Sequence, residues 1–123
     1  MPRQALTDAF RHAADGIAAA ACERNFKIEL CFAVLAIILG VALRIDFTQW
    51  AVVSICIGVV LALECLNTSL EALVDLVSPD YHDLAKIAKD CAAGAVLVCS
   101  VCSLFVAAFI YLPRIVALIQ NVI

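Results

Sequence analysis

Glu64, Asn67, Glu71 and Asp75 close an apolar run with polar side chains at three- and four-residue spacing. At about 100° per residue they share an arc of about 80° on a helix, with Leu66, Leu70 and Leu73 on the other side. An acid at the centre of a single membrane helix costs roughly 2.5–3.5 kcal/mol. Such a stripe therefore needs cations to bind or an aqueous edge to reach. Hard oxygen donors over two turns suit Mg²⁺, which keeps several waters and takes one or two carboxylates plus substrate phosphates. Glu23, at the border of the first apolar stretch, offers a further acid, and Lys89 and Asp90 add a cation and an acid at the start of the third. Lys89 would neutralise phosphate oxygens where no glycine loop does so. A metal clamp, a cationic clamp and a carboxylate to take a hydroxyl proton together make a phosphoryl-transfer site, chemistry that rests on positioning and charge stabilisation. Glu64 lies deepest in the stripe and is the best-placed base.

Plainer readings stand beside this one. Glu71 and Asp75 also fit the solvated end of a helix leaving the membrane, with Asp75 paired to Lys86 or Lys89. Lys89 and Asp90 also fit interface anchoring. Glu64 and Asn67, flanked by Leu61, Leu63 and Leu66, fit a purely structural role poorly.

The elements that must hold these groups are membrane helices. The chain has 123 residues, enough for one domain, with 66% hydrophobic and 15% charged residues and a mean hydropathy of +1.08. Soluble domains run near 45–50% apolar and about 25% charged, so this is an integral membrane protein. Three stretches lack charge: 30–43, 47–63 and 91–112. Lys27 and Arg44 can snorkel to lengthen the short first stretch. Trp50 anchors the second, and the third has Tyr111 near its end and stops at Pro113. The expected architecture is all-α, with spans at about 28–44, 48–77 and 90–112 in one domain covering 1–123. Basic residues set the orientation: Arg3, Arg11, Arg24, Lys27, Lys86 and Lys89 lie on one side, against Arg44 and Arg114. The amino terminus and the 64–90 connection are thus expected in the cytoplasm and the carboxyl terminus outside. Ser78-Pro79-Asp80 reads as a turn, with Ser78 or Asp80 as candidate N-cap of a short helix containing Tyr81, His82 and Asp83, and the stretch as a whole reads as a hinge-like connection.

Segment 5–22 reads as an amphipathic surface helix, with Phe10, Ala14, Ile17 and Ala21 on one side. Asp8, Arg11, His12 and Asp15 interrupt the apolar region that a signal peptide would need. The seven cysteines, odd in number and mostly in or beside spans, do not read as a disulfide framework. Cys99 and Cys102 form a mid-span CxxC with no histidine nearby and read as packing residues. The four glycines are isolated, so no phosphate-binding glycine loop exists. There is no GxSxG, neither of the two histidines has metal-ligand spacing, and nucleic-acid binding has no basic patch to rest on.

Glu64-Cys65-Leu66-Asn67-Thr68-Ser69-Leu70-Glu71-Ala72-Leu73-Val74-Asp75 resembles the signature of the small prokaryotic diacylglycerol kinase family, which includes undecaprenol kinases. Glu23-Arg24-Asn25-Phe26-Lys27, Tyr81-His82 with Leu84-Ala85-Lys86-Ile87-Ala88, and Lys89-Asp90 followed by Ala92-Ala93-Gly94-Ala95-Val96 are similar to further family segments in order. The resemblance covers about residues 10–112. It implies a three-span homotrimer in the bacterial inner membrane, with sites shared between subunits that transfer the γ-phosphate of MgATP to a lipid hydroxyl. By matched position, Glu64 would be the catalytic base, and Glu23 and Glu71 would hold Mg²⁺. Asn67, Lys89 and Asp90 would serve the ATP phosphates, with Asp75 in support, and Tyr81 and His82 would help hold the nucleotide. Ser69 stands where the family often has alanine, and the chain between Gly16 and Glu23 is one residue short, so Arg11 receives no role. The segments 23–26 and 84–90 look more like undecaprenol kinases, whereas Glu29 looks more like diacylglycerol kinases. Both acceptors stay open.

Two rivals belong to other classes. A channel or transporter subunit would use the acids as a cation path, yet they cluster at one end and the outer parts of the spans lack charge. A non-catalytic assembly subunit would pack through Ala92, Ala93, Gly94 and Ala95, which leaves Glu64 and Asn67 without a purpose.

Overall fold

A computed structural model describes residues 6–120; Arg3 of the basic count and residue 5 of the expected surface helix lie outside the described residues. These fold into four helices, α1 (Leu6–Ala20), α2 (Arg24–Ala42), α3 (Phe47–Val77) and α4 (Asp83–Gln120), with no strand among them. The last three are each long and apolar enough to cross a membrane. At about 1.5 Å per residue the 19 residues of α2 reach about 28 Å, close to a hydrocarbon core of roughly 30 Å.

Local chemistry sets the boundaries. After α2, Arg44 takes a left-handed backbone conformation with φ 50°, which stops the helix. A capping box opens α3: Gln49 N–H donates to Asp46 Oδ1 at 3.0 Å, and Asp46 N–H donates to Gln49 Oε1 at 3.2 Å. The helix then runs unbroken from Trp50 through the acidic motif. It ends where Ser78 N–H donates to the Val74 carbonyl at 2.8 Å, ahead of Pro79, which disfavours helical geometry in the residue before it.

Two details differ from the sequence reading. Ser78 closes α3 rather than opening a new helix, and no separate short helix holds Tyr81, His82 and Asp83. Instead α4 begins at Asp83, where Leu84 N–H donates to His82 Nδ1 at 3.2 Å and Lys86 N–H to the His82 carbonyl at 3.0 Å. The helix also continues past Pro113 to Gln120. Membrane helices tolerate such a proline when neighbouring groups support the freed backbone. Here Arg114 and Tyr111, on either side of it, tie α4 to α2 and the α2–α3 turn.

α3 pairs with α4 along its length, α2 lies against both, and α1 touches α3. The tightest packing is at the Trp50 end, around Ile45, Val53, Ile110 and Tyr111. There the Tyr111 hydroxyl donates to the Ala36 carbonyl at 2.8 Å. Arg114 donates to the Leu43 and Arg44 carbonyls at 3.2 and 3.0 Å and to Gln49 Oε1 at 2.7 Å. That end is therefore held by polar ties as well as by apolar packing. All seven cysteines are free, and Cys102 of the CxxC is exposed in the single chain.

Gly40 lets α2 approach Trp50: a Cβ there would lie 2.7 Å from Trp50 Cη2. Gly40→Ala is expected to cost about 1–3 kcal/mol by overpacking, read as a lower unfolding temperature in detergent. An unchanged temperature would mean that the indole simply moves aside.

Candidate functional site

The continuous α3 turns the stripe inward. Glu64 is 3% exposed and Asn67 7%, whereas Leu66 and Leu73 on the opposite face are 63% and 57% exposed. The Glu64–Asn67 part of the polar side therefore faces protein, Leu66 and Leu73 face outward, and Asp75 at the end of the stripe is exposed. Asn67 Nδ2 donates to Glu71 Oε1 at 3.1 Å, one turn along. Glu64 Oε1 and Asn67 Oδ1 are buried and find no hydrogen-bond partner among the described residues. A buried acceptor left unpaired costs about 1–3 kcal/mol, and native proteins keep few of them. Two such acceptors one turn apart on α3 mark the place to look for a ligand.

They face a cavity of about 170 Å³ walled by Asn25, Glu29, Glu64, Asn67, Val96 and Ser100. α2, α3 and α4 each contribute. The Ser100 hydroxyl donates to Glu29 Oε1 at 2.8 Å. Glu23, Glu29 and Glu71 all lie within electrostatic reach of Glu64. Glu23 sits just ahead of α2, exposed, with no hydrogen bond from its side chain to that helix terminus.

Lys89, in the first turns of α4, binds Asp75 Oδ1 at 2.6 Å across the gap between α3 and α4. Of the two partners considered for Asp75, Lys89 is the one taken. Lys86 turns instead to Asp90, at 2.5 Å within α4. Both pairs are largely exposed and hold little stability in water; none of the four side chains lines the Glu64 cavity, and Lys89 alone is within electrostatic reach of Glu71. Tyr81 and His82 are engaged locally. The Tyr81 hydroxyl donates to Asp83 Oδ1 at 3.0 Å, and His82 caps α4. Neither lines the Glu64 cavity.

Among the described residues no three His, Cys, Asp or Glu side chains stand close enough to hold a metal ion by themselves. The expected donors are hard carboxylate oxygens, Glu71 on α3 and Glu23 ahead of α2, both within electrostatic reach of Glu64. They fit an ion that completes its shell with water and phosphate, as Mg²⁺ does, and fit Zn²⁺ poorly, since it favours sulfur and nitrogen.

Glu29 and Ser100 were not among the site residues expected from sequence. Glu29 carried a signal, an acid just inside the first apolar stretch; Ser100 carried none, being one serine among apolar neighbours.

A family model described as prokaryotic diacylglycerol kinase matches residues 11–111. An undecaprenol kinase of Bacillus subtilis is 41% identical over 106 residues, 85% of this chain and 86% of that protein. A diacylglycerol kinase of Synechocystis is 42% identical over 115 residues, 92% of this chain and 66% of that protein. A diacylglycerol kinase of Helicobacter pylori is 32% identical over 94 residues, 76% of this chain and 73% of that protein.

Proposed function

The chain belongs to the prokaryotic diacylglycerol kinase family, and from that premise we propose that it moves the γ-phosphate of MgATP onto a membrane lipid hydroxyl at the cytoplasmic face. The acceptor is diacylglycerol, giving phosphatidic acid, or undecaprenol, giving undecaprenyl phosphate. The channel and assembly-subunit readings fall with family membership. The observation that carries the proposal is the buried, unpartnered Glu64 Oε1 facing a cavity, an acceptor waiting for a hydroxyl proton.

The transfer balances simply. The lipid oxygen bonds to the γ-phosphorus as the bond to the β–γ bridging oxygen breaks, and ADP leaves with that electron pair. The hydroxyl proton passes to Glu64. Asn67 orients the phosphates through its amide, and Lys89 balances their charge, released from Asp75, which then steadies the ammonium from outside. Asp90 supports the phosphate end of the site beside Lys89, and Tyr81 and His82 border the nucleotide in the 78–82 connection. Glu71 and Glu23 would hold Mg²⁺, which would supply charge neutralisation to the nucleotide's phosphates.

The working assembly is a homotrimer with shared sites. A single chain leaves Phe32, Phe105 and Phe109 at 52%, 62% and 79% exposure, faces that lipid and neighbouring subunits would cover. α1 lies along the membrane surface. The basic residues favour the acidic end, with the amino terminus, in the cytoplasm and the carboxyl terminus outside the inner membrane.

Glu71→Ala is expected to raise the Mg²⁺ concentration for half-maximal rate by about tenfold or more, on the scale of other changes to residues supporting a metal. An unchanged requirement would remove Glu71 from the metal site. The acceptor is tested by offering purified protein diacylglycerol and undecaprenol together in mixed micelles with labelled ATP. The ratio of labelled products names the substrate, and absence of both refutes the function.

A further inference from the structure

Asn25 is the second residue of α2. An asparagine in a helix ordinarily turns its side chain to nearby backbone groups or to solvent. Here the amide takes part in none of the side-chain hydrogen bonds among the described residues and lines the chamber that holds Glu64 and Asn67. Asn25 is exposed and Glu64 buried, so the amide stands at the open end. Donors are scarce around that space. Ionised Glu29 and Glu64 can only accept. The Ser100 hydroxyl is committed to Glu29 at 2.8 Å, and Asn67 gives an N–H to Glu71 at 3.1 Å. Lys89 lies outside the chamber, held by Asp75. Among the described residues, Asn25 is the side chain there that keeps both its N–H groups unengaged.

A phosphoryl group in transfer carries its charge on three equatorial oxygens. Beside Glu64 it would meet acids, since Glu23, Glu29 and Glu71 all lie within electrostatic reach of that residue. Glu64 Oε1 and Asn67 Oδ1, buried without partners, mark the ligand's place in this chamber, and neither atom can donate to an anion. We propose that Asn25 is a further catalytic residue, whose amide donates to an equatorial oxygen of the phosphoryl group as that group passes to the acceptor hydroxyl. This rests on the lipid kinase reading above and adds a neutral donor at the reacting phosphorus. The amide gives up no proton: the hydroxyl proton still goes to Glu64, and the electron pair of the broken bond leaves with ADP. The start of α2 acts in the same sense. Glu23 makes no side-chain cap there, so the partial positive charge of the first-turn N–H groups stays available beside the amide.

The test uses full-length protein in nanodiscs, with labelled ATP and a lipid alcohol, and compares the wild type with Asn25→Ala and Asn25→Asp. Asn25→Ala is expected to lower kcat by about 10²–10³-fold, the scale of losing one donor aimed at charge that develops during transfer. Both KM values should stay within about twofold of wild type, because such a donor contributes little before the transition state. Asn25→Asp keeps the shape, removes the donor and adds a further acid, so its loss should be at least as large. Unfolding temperatures of both variants should match the wild type, since the side chain is exposed and holds no partner. Near-wild-type kcat in either variant would overturn the proposal. So would a higher acceptor KM at unchanged kcat, or a rate loss matched by a fall in unfolding temperature. If the wild type phosphorylates no lipid alcohol, the kinase reading fails as well; if it does so and the variants keep pace with it, only this inference fails.

Discussion

Glu64→Gln is expected to lower kcat by about 10²–10⁴-fold, the usual worth of a positioned general base, while the oligomer and the KM for ATP stay near wild type. The amide keeps the shape of the side chain but cannot take a hydroxyl proton. Glu64 is 3% exposed and lies within electrostatic reach of Glu23, Glu29 and Glu71. Removing its charge therefore relieves repulsion among acids, and the variant should fold at least as well as the parent. Activity and stability are expected to move in opposite directions. That divergence separates a base from a structural carboxylate, whose loss would lower both. Wild-type turnover in Glu64→Gln would end its assigned role.

Lys89→Gln is the second large effect, with kcat falling by about 10²–10³-fold, the scale on which loss of one charge-stabilising group at a reacting centre is felt. Its ion pair with Asp75 spans 2.6 Å and is largely exposed, so breaking it should leave the unfolding temperature almost unchanged. Asp75→Asn is the informative partner. If Lys89 served only to join α3 to α4, both substitutions would do the same small damage to stability and none to chemistry. If Lys89 faces phosphate, Lys89→Gln loses far more activity than Asp75→Asn. Steady-state rates with saturating lipid, beside unfolding curves in the same detergent, give both quantities.

Much of this was legible from residue types alone. The acidic motif has helical spacing, and α3 keeps it because nothing between Trp50 and Asp75 breaks a helix. The inward turn of Glu64 and Asn67 follows from leucines on the opposite face. The three candidate spans follow from three charge-poor stretches. What could not be read depends on contacts between distant segments. Ser100 reaches Glu29 across 71 positions, and no local pattern announces such a pair. The choice of Lys89 over Lys86 as partner for Asp75 depends on how α3 and α4 face each other across the 78–82 turn. Proline gave the right boundary before α4 and the wrong one within it. At Pro79 it did mark a helix stop, but the next helix waited for His82 to cap it. At Pro113 the expected stop failed, because Arg114 and Tyr111 already hold that end of α4 against α2 and the α2–α3 turn.

The most direct test follows the phosphate itself. Purified protein in nanodiscs receives ATP labelled at the γ-phosphate together with a lipid alcohol, and the label is traced after a few turnovers. The expected result is label in an organic-phase lipid phosphate, one equivalent for each ADP formed, and none without the alcohol. Label recovered only as inorganic phosphate, or left in ATP, would contradict a site in which Glu64 takes the proton of a lipid hydroxyl.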